Sequence, residues 1–89
     1  MVYRYHARSA DYEKIVKVYD RVYFSNGCFY VPWIVAERLG LKKGNPLNKK
    51  ELKELLLKEW DRMPTLFKKY ALTSIREFSP LFLFKGGSL

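Results

Sequence analysis

The chain has no glutamine, one cysteine (Cys28) and one histidine (His6). A single cysteine excludes a disulfide within the chain and points to a reducing compartment, with only a Cys28 to Cys28 bridge between two copies left open. One histidine and one distant cysteine would leave a metal site to be built mostly of carboxylates, so no metal or cofactor is expected and His6 reads as a solvated strand-face side chain. Long apolar runs are missing as well: nothing approaches the ~18 residues a membrane span needs. The opening segment, MVYRYHARSA, lacks the apolar core of a secretory leader. The expectation is a cytoplasmic protein without a membrane partner.

Catalytic patterns are lacking too. A nucleophilic triad would need His6 beside Cys28, and a long loop and strand separate them with no third group marked out. Asp11, Glu13, Asp20, Glu37, Glu51, Glu54 and Glu59 show no spacing suited to two-metal hydrolysis. Gly27, Gly40 and Gly44 each have a turn to account for them, which leaves no phosphate-cradling loop. The protein is not expected to be an enzyme.

What is present is charge and apolar content. A length of 89 residues makes one domain that buries only about 60% of the surface its unfolded chain exposes. Hydrophobic content of 48% is enough for a packed core. The net charge of +8 suits an anionic partner, because lysines and arginines release counterions when they meet phosphates. That excess is even: residues 1–46 hold eight basic and four acidic side chains, residues 47–89 nine and five. Few thermolabile residues beside many Lys and Glu fit a thermophile.

Along the chain, residues 2–7 alternate aromatics with Arg4 and His6, as a short edge strand would. Ser9 or Asp11 can cap a turn of helix over Tyr12 to Ile15. From Ile15 to Phe24 the residues are β formers, with Val16, Val18, Val22 and Phe24 on one face and Lys17, Tyr19, Arg21 and Tyr23 on the other. Asn26-Gly27 then signals a type I′ hairpin, since both residues tolerate positive φ. Cys28 to Val31 should be the returning strand, Pro32 its end, and Trp33 to Leu39 a short helix stopped by Gly40.

Gly27, Val31-Pro32, Val35, Leu39-Gly40-Leu41 and Gly44, in this order and spacing, resemble the AbrB-type swapped-hairpin DNA-binding domains over residues 21–45. That family includes transition-state regulators and MazE-like antitoxins. The resemblance implies a homodimer in which two copies exchange hairpins and present a basic surface to duplex DNA. Arg21 falls where the family often has a basic strand residue. Cys28 stands where it usually has a basic one, and before the Leu-Gly pair only Arg38 of Ala36, Glu37 and Arg38 is basic. The nucleic-acid contacts it implies here are Lys17, Arg21, Arg38, Lys42 and Lys43.

Beyond Gly44, Pro46-Leu47 offers only the start of a further strand. Asn48 and Glu51 form a capping-box-like start, and Leu52, Leu55, Leu56, Trp60 and Met63 keep helical spacing. Pro64 breaks that helix, with Asp61 placed to cap a second over about 64–78 carrying Phe67, Tyr70, Ala71, Ile75 and Phe78. Leu81 to Phe84 reads as a buried strand or docking arm, and residues 85–89 as a flexible tail.

The expected fold is therefore α+β in a single domain: a hairpin and hinge-helix unit (15–45), two amphipathic helices and a short C-terminal strand (48–84). The expected function is a dimeric duplex-DNA-binding transcriptional regulator or antitoxin-like protein whose helical part is free for a protein partner. Two alternatives stay open. One is an assembly module without nucleic-acid affinity. The other is a single-strand binder stacking bases on Tyr19, Tyr23 and Tyr30.

Overall fold

The computed structural model describes residues 1–7, 9–42 and 44–75, with backbone only for 9–11. The fold is α+β. Strands β1 (Val2–His6), β2 (Tyr23–Ser25), β3 (Cys28–Pro32) and β4 (Asn45–Pro46) form one antiparallel sheet in the order β2-β3-β1-β4. Helices α1 (Ser9–Val16) and α2 (Trp33–Leu39) lie on one side of it, and α3 (Lys49–Glu59) and α4 (Thr65–Ser74) on the other.

The hairpin forms where the Asn-Gly pair directs it. Asn26 and Gly27 both have positive φ, 52° and 73°, and Ser25 faces Cys28 across the turn. Pro32 closes β3 and serves as the N-cap of α2, and Gly40 ends that helix in the left-handed region at φ 65°. β1 is not an edge strand. It pairs with β3 along Val2–His6 on one edge and with β4 at Tyr3 and Arg4 on the other. Gly44 permits the approach of β4, because a Cβ there would stand 2.6 Å from the Arg4 carbonyl oxygen.

The stretch 15–24 departs from the alternation read in it. Ile15 and Val16 finish α1, Tyr19–Arg21 is a single 3-10 turn, and only Tyr23–Ser25 is strand. With period-2 geometry confined to three residues, the two proposed faces do not exist. Tyr23 is buried, while Phe24 is 43% exposed and Val16 is also exposed. The apolar spacing of Ile15, Val18 and Val22 suits a helix and turn as well as a strand, and the helix expected over Tyr12 to Ile15 already includes Ser9 to Asp11.

Each sheet face has its own core. Tyr3, Tyr5, Phe29 and Val31 meet Ile15, Val22, Val35 and Ala36 on one side. On the other, Val2, Tyr23 and Tyr30 meet Leu47, Leu52, Leu56, Trp60, Met63, Phe67, Ala71 and Ile75. The hairpin thus receives both of its covers, and its β1 neighbour, from its own chain.

The capping box at α3 is complete: the Glu51 amide donates to Asn48 Oδ1 at 2.8 Å and the Asn48 amide to Glu51 Oε1 at 3.5 Å. The α3 register ends at Glu59, and Trp60–Arg62 tightens into a 3-10 turn ahead of Pro64. Pro64 itself, not Asp61, is the N-cap of α4, with extended ψ (145°) and no side-chain cap. A proline ring disfavours the helical conformation in the residue before it, in keeping with the extended Met63. α4 stops at Ser74, earlier than the spacing of Ile75 and Phe78 suggests. Phe78, the proposed strand at 81–84 and the tail at 85–89 lie outside the described residues.

Candidate functional site

The sheet face under α3 and α4 changes character along its strands. At one end Val2 and Pro32 are paired and buried; in the middle Arg4, Tyr30 and Tyr23 stand abreast; at the hairpin end His6, Cys28 and Ser25 do. Cross-strand partners in an antiparallel pair project to the same side, so the sheet itself assembles this polar end. Cys28 Sγ lies 3.6 Å from His6 Nδ1. The two residues are therefore not on opposite sides of a loop, as their separation in sequence suggests, but direct β1–β3 partners. This contact is exposed, and among the described residues no group of three or more His, Cys, Asp or Glu is placed to hold a metal ion.

Glu59, the last residue of α3, is the one buried charged residue among the described residues, at 8% exposure. Ser25 Oγ donates to its Oε1 at 2.9 Å, while Oε2 is buried without a hydrogen-bond partner. Tyr23 stands beside this carboxylate. Burial, then Glu59, pushes the Tyr23 phenol above its ordinary value of 10.0, and burial does the same to Tyr30. Between α3 and the sheet runs a groove of about 300 Å³, walled by Arg4, Tyr30, Leu47, Leu55 and Glu59 and flanked by Asn26, Glu51, Glu54 and Lys58. Arg4 is engaged there with Glu51 Oε2 at 2.9 Å. Sequence spacing shows none of this, because Ser25, Glu59 and Arg4 meet only through tertiary packing. The one available signal was Glu59 itself, a carboxylate at the core-facing end of an apolar stripe.

The five cations expected to meet nucleic acid divide. Lys17 follows α1, Arg38 is on α2 and Lys42 follows α2, and all three are exposed on the α1–α2 side of the sheet. Arg21 is half-buried at the end of the 3-10 turn that packs against α4, so it belongs to the opposite side. Lys43 lies outside the described residues. The lost strand explains the split: Lys17 and Arg21 would share a face in a strand, and a helix end followed by a 3-10 turn separates them. Lys49, Lys50, Lys53 and Lys58 on α3 are interspersed with Glu51, Glu54 and Glu59, and α4 carries Lys68 and Lys69. Of the tyrosines suited to base stacking, Tyr23 and Tyr30 are buried and only Tyr19 is exposed.

Among the described residues no helix is long and apolar enough to cross a membrane. Compared with protein-family models, with curated proteins and with solved structures, the chain matches none.

Proposed function

We propose that the protein binds nucleic acid, duplex DNA in preference to single strands, as a homodimer of the AbrB-like regulatory or antitoxin kind. The observation that carries this reading is the placement of Lys17, Arg38 and Lys42 as exposed cations on one side of the sheet of a chain with net charge +8. Cations spread over one layer follow a phosphate backbone without reading bases, so affinity comes first and sequence preference second. Duplex is favoured because the rings a single strand would stack on, Tyr23 and Tyr30, are inside the core. Gly27, Val31-Pro32, Leu39-Gly40-Leu41 and Gly44 supply the family resemblance.

The test is a binding titration of a duplex and of its single strand at 50 and 200 mM salt, with the particle mass measured in parallel. The reading expects a dimer, preference for the duplex, and an affinity that drops steeply with salt.

An assembly module is the second reading, favoured by Tyr12 and Phe24. Both rings pack on buried Phe29, at centroid distances of 5.8 and 4.7 Å, and both remain about half exposed beside edge strand β2. It predicts self-association with no nucleic-acid affinity at either salt concentration.

A further inference from the structure

We propose that the cavity between β1 and α2 binds a trimethylammonium group, with aromatic rings for its walls and Glu37 for its counter-charge. The cavity holds about 240 Å³ and is lined by Tyr3, Tyr5, Trp33, Ala36, Glu37 and Leu41. Alternation along β1 sends Tyr3 and Tyr5 to the α2 side of the sheet, where both join that core. Trp33, Ala36 and Glu37 stand at three- and four-residue spacing, so α2 turns one stripe toward the two tyrosines, and Leu41 continues it just past Gly40. Trp33 is 51% exposed although it sits on a cavity, which leaves a large aromatic surface open to a ligand. On a chain of net charge +8, the only charged residue lining this cavity is an acid. The Glu37 carboxylate has no ion pair among the described residues.

The shape selects the kind of cation. The Tyr3 and Tyr5 ring centroids are 6.5 Å apart and the rings are tilted by 57°, which makes a corner and not a slot. A corner suits a rounded cation, whereas a planar base or guanidinium needs parallel faces to lie between. A bare ammonium is strongly hydrated and would have to shed that water against a lining whose one anionic acceptor is Glu37. Methyl groups on the nitrogen reduce the hydration and keep the charge, and aromatic faces attract such a cation most when it is desolvated. A metal ion would need more ligands than the described residues bring together. None of the lining residues is among the proposed nucleic-acid contacts, so the two readings stand or fall separately.

The experiment is an NMR titration of the full chain with choline chloride and with trimethyl-lysine, against the uncharged choline isostere 3,3-dimethylbutanol and against sodium chloride at matched ionic strength. Saturable shifts of the Trp33 indole and of the Tyr3, Tyr5 and Glu37 amides with either cation, and an affinity for the isostere lower by about fivefold or more, are the expected result. Binding of either cation supports the proposal, and the tighter of the two tells a choline-type molecule from a methylated lysine as the source. Trp33→Ala, at a half-exposed position, should weaken binding about fivefold or more, and Glu37→Gln less. The isostere comparison needs no variant, so the proposal stays testable if Trp33→Ala does not fold. Shifts no larger than those of the salt control overturn it. So does an isostere that binds as tightly as choline, or an affinity that a folded Trp33→Ala leaves intact.

Discussion

Ser25 and Glu59 join the hairpin to the end of α3 through one hydrogen bond of 2.9 Å, between residues 34 positions apart. Without the Ser25 hydroxyl, Glu59 Oε1 is left as a buried carboxylate oxygen short of a donor, and it bears the desolvation penalty. Ser25→Ala should therefore cost about 1–3 kcal/mol, more than a typical exposed serine. Urea unfolding of Ser25→Ala, Glu59→Gln and the double variant checks it: the two effects should be non-additive, since both break the same contact.

Phe67 is fully buried and touches the hairpin directly, its ring 5.9 Å from that of Tyr23. Phe67→Ala should cost about 3–5 kcal/mol, a large share of the roughly 5–15 kcal/mol by which a domain is stable. The helices would detach from the sheet face as a result. Loss of the cooperative thermal transition, followed by circular dichroism, is the expected reading.

Gly44→Ala tests the β4 contact. The added methyl would meet the Arg4 carbonyl at 2.6 Å and the Tyr5 ring at 3.0 Å, and neither can swing aside as a surface side chain would. The variant should lose about 1–3 kcal/mol, with amide exchange rising first at Tyr3 and Arg4, the β4 partners.

Alkaline stability follows from Tyr23 and Tyr30, whose phenols are held above the ordinary 10.0 first by burial. A phenol with a raised folded-state value keeps its proton longer folded than unfolded. Its contribution is complete below pH 10.0 and is lost as the pH climbs through the raised value. Tyr23→Phe removes one such group, so its stability should fall less than that of the parent above pH 10.0. Chemical denaturation across that range measures the difference.

Local signals in the sequence were strong where one residue determines the backbone: Asn26-Gly27, Pro32, Gly40 and the Asn48–Glu51 box all act as their chemistry dictates. Spacing failed between 15 and 24, where Ile15, Val18 and Val22 fit two periods equally and tertiary packing chose the helix and 3-10 turn. Asp61 failed as a cap because Pro64 resets the start of α4. The polar end of the sheet was illegible for another reason. Cys28 meets His6 through the β1–β3 register, and Ser25 meets Glu59 through the seat of α3 on the hairpin, neither of which leaves a pattern in the chain. Of the cations, Lys17, Arg38 and Lys42 share a side and Arg21 does not.

The most direct test is the salt dependence of duplex binding by the parent and by a Lys17→Glu, Arg38→Glu, Lys42→Glu variant. Three contacts from each of two copies predict a slope of log affinity on log salt of about −5 for the parent. The triple variant should bind far more weakly with a much shallower slope. An unchanged slope and affinity in the folded triple variant would contradict the account.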